Sequence, residues 1–277
     1  IVARVMAQKA SEIFRQSIVV DNRGGAGGII ATEMVARAEP DGYSILVHSS
    51  SFTVTPTTYP NTPYNTQRDF SGITPLGNLP NVLVIAPSRN IRSVKELVAA
   101  AKAKPGAITY ASAGVGSSTH LTAERMLQSA GITAIHVPFR GGGFQPEIIA
   151  GRVDFAYSPI ATCLPNIKEG NLQALAVSGA KRASSLPDVP TTLEAGFTDS
   201  DYVIWVGLFF PAKTPREIVD RLHDEAIKAL QSPAVRDRFA QLDVEPMPMS
   251  PAEFDQLIRK EIVSNAALAR AVGLKAD

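Results

Sequence analysis

The chain has very little cysteine and no long hydrophobic run. The single cysteine, Cys163, cannot form an internal disulfide, and it has no CxxC partner, so we expect a packed thiol rather than a ligand or nucleophile. No stretch approaches the roughly 18 apolar residues of a membrane-spanning helix. The longest candidate, Tyr202 to Phe210, has the length of a strand. These shortages exclude a scaffold built on disulfides and argue against a membrane-spanning helix.

The chain also lacks an excess of either positive or negative charge. The chain has 27 Lys and Arg against 26 Asp and Glu, and no block of like charges occurs along it. Binding to a phosphate backbone requires a basic surface, so we do not expect nucleic acid as a partner. A hydrophobic content of 45% is typical of a globular protein, and 277 residues suit two domains of ordinary size.

Motifs for catalysis and for cofactor binding are missing. The histidines at 48, 120, 136 and 223 lack HExxH or other ligand spacing, so we predict no metal. The GGAGG run at 24–28 does not fit GxGxxG, and no Walker motif occurs, so we expect no cofactor. Ser117 or Ser118 with His120 leaves a serine hydrolase as an alternative, but GxSxG is absent and such close neighbours at a helix start rarely face one another. A ligand-sensing module for a protein partner is a second alternative. We expect a binding protein that is not an enzyme.

Strands and helices alternate through the middle of the sequence, which indicates an α/β fold with a parallel sheet. Two compact apolar runs bracket this part, NVLVIA at 81–86 and YVIWVGLFF at 202–210. If both runs cross between lobes, they act as hinge strands near 82–87 and 202–210. The first lobe then comprises residues 1–86 plus 207–277, and the second comprises residues 87–206. A cleft between two lobes is a common location for a ligand.

The N-terminal part shows the same alternation. An amphipathic helical pattern covers 1–14, a short strand is predicted at 17–20, and a helix is predicted at 29–38. The next predicted strand, 43–48, runs into Ser49, Ser50 and Ser51. In open α/β sheets ligands bind beyond the carboxyl ends of strands, so these three serines are candidate ligand contacts.

The stretch YASAGVGSSTHL, from Tyr110 to Leu121, combines a strand end, a glycine loop and a helix start. The first turn of a helix has unpaired N–H groups and a partial positive charge. Small hydroxyl residues at this turn allow an anion to approach closely, so the stretch is a candidate carboxylate or phosphate cradle. Taken alone, it favours an ordinary Ser/Thr N-cap after a tight turn.

Several weak motifs occur in a linked order along almost the whole chain: VDNRGGAGG, PDGY, DFSGITPLG, YASAGVGSSTHLTAE, VPFRGGG, GRVDFAY, LQALAVSGAKRASSLPDVPTTLEAG and WVGLFFPAKTP. In this order the chain resembles the Bug-type family, the periplasmic substrate-binding proteins of tripartite tricarboxylate transporters. The resemblance implies a type II periplasmic-binding-protein fold, with two lobes that each have a central sheet flanked by helices and a ligand cleft between them. It implies capture of a small organic carboxylate for membrane permease subunits, in the periplasm. We expect a monomer. Members of the family resemble one another while binding amino acids, citrate-like acids, dicarboxylates or aromatic acids.

The resemblance also implies a set of ligand contacts, carried over by position. In the second lobe these are Gly116, Ser117, Ser118, Thr119, His120, the loop residues Arg140, Gly141 and Gly142, and the strand end Tyr157 and Ser158. In the first lobe they are Ser49, Ser50 and Ser51. Arg140 is the cation that we most expect near an anionic ligand.

The beginning of the sequence departs from the family pattern. Family members start with a strand and a glycine-rich loop, followed by a helix that reads much like IVARVMAQKAS here. The sequence has no initiator Met and no signal peptide, and Ile1 falls within a helical pattern. We therefore expect the first lobe to lack its first strand and ligand loop in this sequence.

Overall fold

The computed structural model describes residues 1–24, 28–139, 143–202, 204–271 and 273. Its helices are α1 (Val2–Phe14), α2 (Ile29–Ala36), α3 (Thr55–Thr58), α4 (Val94–Ala103), α5 (Ser118–Ala130), α6 (Gln145–Ile149), α7 (Ile160–Lys168), α8 (Arg216–Gln231), α9 (Pro233–Gln241) and α10 (Pro251–Ala271). Its strands are β1 (Leu46–Ser49), β2 (Phe70–Asn78), β3 (Asn81–Ile85), β4 (Thr109–Ser112), β5 (Ile135–Pro138), β6 (Phe155–Pro159), β7 (Gln173–Val177), β8 (Trp205–Pro211) and β9 (Glu245–Pro246). Short 3-10 helices occupy Ser50–Thr53 and Pro87–Arg89. Among the described residues, no helix is long and apolar enough to cross a membrane.

The chain forms two compact units, each with its own sheet. The first unit comprises Ile1–Asn78 and Trp205–Asp277, and the second comprises Leu79–Ile204. The change of unit therefore comes before the NVLVIA strand, whereas the sequence pattern places it at the end of that strand. Both sheets carry helices, in line with the predicted α/β class.

The sheet of the first unit has the order β1-β8-β2-β9, and every pair in it is antiparallel. The sequence pattern does not predict β2, because its sequence FSGITPLGN contains two glycines and a proline. Both glycines are needed for close packing. A Cβ at Gly72 would lie 2.8 Å from Oδ1 of Asp255, and a Cβ at Gly77 would lie 2.4 Å from Cγ1 of Val244.

The strand predicted at 17–20 is irregular in the structure. Val19 is 82% exposed, so this segment buries too little apolar surface to join the sheet. The prediction of a strand here is wrong because a β-branched composition alone does not supply a pairing partner.

The sheet of the second unit has the order β5-β4-β6-β3-β7. Strand β4 is parallel to β5 and β6, but β3 is antiparallel to both of its neighbours, β6 and β7. The predicted all-parallel sheet is thus mixed. Strand β3 follows β2 of the first unit through Leu79 and Pro80, so no crossover helix within the sheet fixes its direction.

Hydrophobic clusters cover both faces of this second sheet. One cluster joins β3, β4 and β6 to α4 and α5, and it includes Leu83, Tyr110 and Tyr157. The other includes Val82, Ala156 and the predicted packed thiol Cys163, which is buried. Helix α5 is therefore fixed against the sheet by its apolar face, with its first turn at the end of β4.

Candidate functional site

The loop between β4 and α5 is built by local hydrogen bonds. Ser117 is the N-cap of α5, and its hydroxyl accepts from the backbone N–H of His120 at 3.3 Å. Gly114 and Gly116 have φ values of 120° and 74°, a region that side chains other than glycine rarely adopt. The predicted glycine loop and helix start are therefore present, with glycine required at both positions.

Most N–H groups of this loop already have acceptors. The N–H of Ala113 donates to Oγ1 of Thr119 at 3.0 Å, and the N–H of Gly114 donates to Oγ of Ser112 at 3.1 Å. The N–H of Gly116 donates to Nδ1 of His120 at 3.1 Å. These three N–H groups shape the loop and are not free to bind a ligand.

Ser118 and Thr119 differ from their neighbours. Their backbone N–H groups have no hydrogen-bond partner within the described parts of the chain, as expected for the first turn of a helix. The hydroxyl of Ser118 also has no partner there, and this residue is only half-buried. The hydroxyl of Ser117 lies 3.1 Å from that of Thr119. The free donors of the cradle are thus concentrated at Ser118 and Thr119.

A buried polar cluster lies behind the loop. The rings of His120 and His136 stack with centroids 3.8 Å apart, and Nε2 of His120 lies 3.7 Å from a carboxylate oxygen of Glu124. The hydroxyl of Tyr110 donates to the same carboxylate oxygen of Glu124. Oγ of Ser112, which accepts the Gly114 N–H, lies 2.6 Å from Nε2 of His136.

The cluster shifts the pKa values of its members. Burial lowers the pKa of His136 to about 4, helped by the neighbouring His120 and opposed by Glu124. Burial alone would raise the pKa of Glu124, but the contacts with His120 and Tyr110 outweigh it and hold that pKa below its usual value. Burial and the Glu124 carboxylate raise the pKa of Tyr110 far above its usual range. Near neutral pH, Glu124 is therefore a carboxylate, while His136 is neutral.

The geometry does not provide a serine nucleophile with its base. Nδ1 of His120 accepts from a backbone N–H, and Nε2 faces Glu124, so neither nitrogen is hydrogen-bonded to a serine hydroxyl. The hydroxyl of Ser117 is instead engaged as a helix cap. In the described residues no group of three or more His, Cys, Asp or Glu could hold a metal ion. Burial raises the pKa of the Cys163 thiol to about 11, so this residue is not a nucleophile near neutral pH.

The other predicted residues of the second unit are placed differently. Tyr157 is fully buried in the hydrophobic cluster that packs on α5, and its hydroxyl has no partner among the described residues. Ser158 is 1% exposed, and its hydroxyl lies 3.1 Å from that of Thr162. Arg140, Gly141 and Gly142 lie outside the described residues.

The three serines of the first unit lie at the end of β1 and in the 3-10 helix that follows it. The hydroxyls of Ser49 and Ser51 are 2.8 Å apart. The hydroxyl of Ser50 is buried and has no partner among the described residues. The predicted run of serines at a strand end is thus present, with one buried hydroxyl unpaired.

Helix α10 supports this serine segment from a distant part of the sequence. The side-chain amide of Asn265 donates to Oγ1 of Thr53 at 2.7 Å, and the Thr53 hydroxyl donates to the carbonyl of Ser50 at 2.7 Å. A carboxylate oxygen of Glu261 lies 3.3 Å from Oγ1 of Thr53. Sequence reasoning misses Thr53, Glu261 and Asn265, because no local pattern links residues more than 200 positions apart.

A second contact lies at the start of α2. Gly28 has a φ of 98°, and a Cβ at this position would lie 2.4 Å from Nε2 of His48. Nδ1 of His48 lies 3.1 Å from the carbonyl of Ser49. The last glycine of the GGAGG run is therefore packed on the histidine that precedes the serines. Residues 25–27 of that run lie outside the described residues.

The chain is similar to a known family and to several known proteins. The profile of the family described as "Tripartite tricarboxylate transporter family receptor" matches residues 2–274. The chain belongs to this family. A Pseudomonas sp. (strain P51) relative, the "UPF0065 protein in tcbD-tcbE intergenic region", is 37% identical over 262 residues, covering 94% of this chain and 78% of the relative. Protein BugT of Bordetella pertussis is 32% identical over 278 residues, covering 99% of this chain and 85% of BugT.

Several solved structures have the same fold as this chain. Periplasmic binding protein BugD superposes with a TM-score of 0.89 at 30% identity, covering 99% of this chain and 93% of BugD. The R. palustris protein Rpa4515 with adipate gives 0.92 at 28% identity, with coverage of 99% and 93%. MatC from Rhodopseudomonas palustris with bound malate gives 0.88 at 27% identity, with coverage of 96% and 92%.

These findings confirm the resemblance to Bug-type receptors and the periplasmic-binding-protein fold. They also confirm the predicted solute-binding class, since the receptor family and its solved neighbours are substrate-binding proteins and not enzymes. The serine hydrolase and the sensing module find no support among them.

Proposed function

We propose that this receptor captures a small organic carboxylate in the periplasm and delivers it to the membrane subunits of a tripartite tricarboxylate transporter. The observation that carries the proposal is the pair of unpartnered N–H groups on Ser118 and Thr119 at the start of α5, next to the free hydroxyl of Ser118. The adipate and malate bound by two similar structures support a carboxylate as the ligand class. We propose that the receptor acts as a monomer.

A carboxylate matches these donors in charge and in shape. Its two oxygens accept hydrogen bonds from adjacent N–H groups, and the partial positive charge of a helix N-terminus favours an anion there. The Ser118 hydroxyl supplies a third donor, and the Ser117 hydroxyl borders the same turn. The 13 residues of α5, packed on the sheet, keep the donors in place before the ligand arrives.

We also propose that other residues predicted from the sequence contact the carboxylate. Within the second unit we propose further contacts from Arg140, Gly141, Gly142 and Ser158, while Gly116 and His120 shape the loop. Within the first unit we propose Ser49, Ser50 and Ser51, whose unpaired buried hydroxyl at Ser50 favours a polar partner.

The test is a panel of small carboxylates, including malate, adipate and succinate, measured by thermal shift and isothermal titration calorimetry. At least one should raise the melting midpoint, since a ligand that binds only the folded state stabilises it. Ser118→Asp should place a like charge at the helix start and weaken binding by about tenfold or more, while the fold is retained.

Ser93→Asp is the control, because it places the same charge at the start of α4, where Ser93 caps the helix as Ser117 caps α5 and accepts from the N–H of Glu96 at 3.1 Å. It should leave carboxylate affinity unchanged. If no carboxylate raises the midpoint, or if Ser118→Asp binds as tightly as the wild type, the proposal is wrong.

A further inference from the structure

His120 holds the ligand loop from behind and does not face outward. Its side chain is 7% exposed, and Nδ1 accepts the N–H of Gly116 at 3.1 Å. Resting on the function proposed above, we propose that His120 is a positioning residue. Its neutral imidazole fixes Gly116 and so holds the donors of Ser118 and Thr119 in the geometry that binds a carboxylate.

The hydrogen bond decides which ring nitrogen carries the proton. A backbone N–H always donates, so Nδ1 of His120 must offer a lone pair. The neutral ring then carries its proton on Nε2, which points toward the Glu124 carboxylate at 3.7 Å. A proton on both nitrogens would turn Nδ1 from an acceptor into a donor facing the Gly116 N–H.

The groups around His120 favour this arrangement. Glu124 lies on the same helix, Tyr110 and Ser112 lie on β4, and His136 lies on β5. The Glu124 carboxylate, held by the Tyr110 hydroxyl, attracts the Nε2 proton. The ring of His136, which is neutral near neutral pH, stacks on the His120 ring at 3.8 Å between centroids and keeps it in this orientation.

The position of Gly116 matters because it lies two residues before Ser118. Its φ of 74° gives the loop its turn into α5, and its N–H is buried. Without an acceptor, this buried N–H has to reach water or another group, and the loop shifts to provide one. The donors at the helix start then lose their alignment.

The first test replaces the acceptor while leaving the loop sequence intact. Oδ1 of an asparagine lies at about the same distance from the backbone as Nδ1 of histidine, whereas the acceptor of glutamine lies one bond further out. With malate or adipate as the probe at about pH 8, His120→Asn should bind within about threefold of the wild type. His120→Gln and His120→Leu should bind about tenfold more weakly. Equal affinity of His120→Leu and the wild type, or equal weakness of His120→Asn and His120→Leu, would overturn the proposal.

A second measurement separates this inference from the proposed function. Hydrogen exchange of the Gly116 amide should be slow in the wild type and in His120→Asn and fast in His120→Leu, without any ligand present. If no carboxylate binds the wild type but this exchange pattern holds, the positioning role stands and the proposed function fails. If carboxylates bind but the Gly116 amide exchanges equally in all three proteins, the proposed function stands and the positioning role fails.

Discussion

The indole Nε1 of Trp205 donates to the carboxylate of Glu261, with both oxygens at 3.0 Å. Trp205 is the only tryptophan and the first residue of β8, where the chain re-enters the first unit. The same carboxylate lies 3.3 Å from Oγ1 of Thr53, in the 3-10 helix that contains Ser50 and Ser51. One partly buried acid therefore contacts both the start of a central strand and the segment that contains the candidate serines.

Removing this acid should destabilise the first unit. Glu261→Leu leaves the buried N–H of Trp205 without its acceptor, so we expect a loss of about 1–3 kcal/mol in the free energy of unfolding. Urea denaturation followed by the fluorescence of Trp205 measures it, since no other tryptophan contributes. Gln256→Ala, exposed on the same helix, is the control and should change stability by less than about 0.5 kcal/mol. A loss no larger than in the control would contradict the role of Glu261.

The contact between Gly28 and His48 should be measurable by a pair of glycine substitutions. Gly28→Ala combines an unfavourable positive φ with a Cβ placed 2.4 Å from Nε2 of His48. Gly106→Ala, at a φ of 74° with nothing within 4 Å, carries only the backbone cost of about 1–2 kcal/mol. Gly28→Ala should therefore destabilise more than Gly106→Ala in thermal denaturation. The excess should shrink when His48→Ala is added, as a double-mutant cycle would show. If the extra destabilisation of Gly28→Ala is as large with His48→Ala as without it, the strain does not come from the contact with His48.

The lowered pKa of His136 makes the fold sensitive to acid. The unfolded chain takes up a proton near pH 6.5, but the folded protein does so only near pH 4, because burial opposes the charge. The stability that depends on neutral His136 is therefore fully present above about pH 6.5, and it is lost as the pH falls toward about 4. Glu124, whose pKa is lowered from 4.5, adds a loss below pH 4.5.

Chemical denaturation at a series of pH values checks this prediction. His136→Asn should reduce the slope between about pH 6.5 and 4.5, where a part due to His48 remains because burial lowers its pKa too, and the loss at lower pH should persist. Ile135→Thr, an exposed neighbour on the same strand, should keep the wild-type slope. A slope in His136→Asn as steep as in the wild type would assign the acid sensitivity to other groups.

Asp154, the residue before β6, contacts β4 and the 3-10 helix Pro87–Arg89 in the second unit. Its carboxylate accepts the N–H and the hydroxyl of Thr109 at 2.8 Å and 2.7 Å, and it pairs with Arg89 at 2.8 Å. Asp154→Ala should cost about 2–3 kcal/mol, because hydrogen bonds to a buried charge are lost. Asp188→Ala, which removes an exposed acid from the same unit, should be nearly neutral. Equal midpoints for the two variants in thermal denaturation would refute this assignment.

The parts of the fold that follow from local chemistry could be predicted from the sequence. Ser93 with Glu96 and Ser117 with His120 cap their helices within three residues, so the starts of α4 and α5 are visible in the chain itself. The direction of β3 could not be predicted. A strand has the same composition and the same alternation of side chains between its two faces whether it runs parallel or antiparallel to its neighbours. Strand β2 was hidden by its proline and by its two glycines, which close packing requires.

For the candidate site, too, local features could be predicted from the sequence, but contacts between distant residues could not. The sequence places Ser118 and Thr119 at a helix start, since capping is local, but it does not show which N–H groups remain unpartnered. A histidine three residues after a cap gives no sign of which ring nitrogen faces the loop. The support of Ser50 by Thr53 and Asn265 depends on residues 212 positions apart, a contact that only the folded chain creates.

The order of strands in the first sheet has a consequence for biosynthesis. Strand β8 lies between β1 and β2, and Leu46 pairs with Phe209, so neither β1 nor β2 has its main partner until the last quarter of the chain has been made. Residues 79–204 form the second unit without interruption. We therefore expect a nascent chain to complete the second unit while the N-terminal segment is still unpaired. During that interval, β1 and β2 lack the strand that pairs with both of them in the finished sheet.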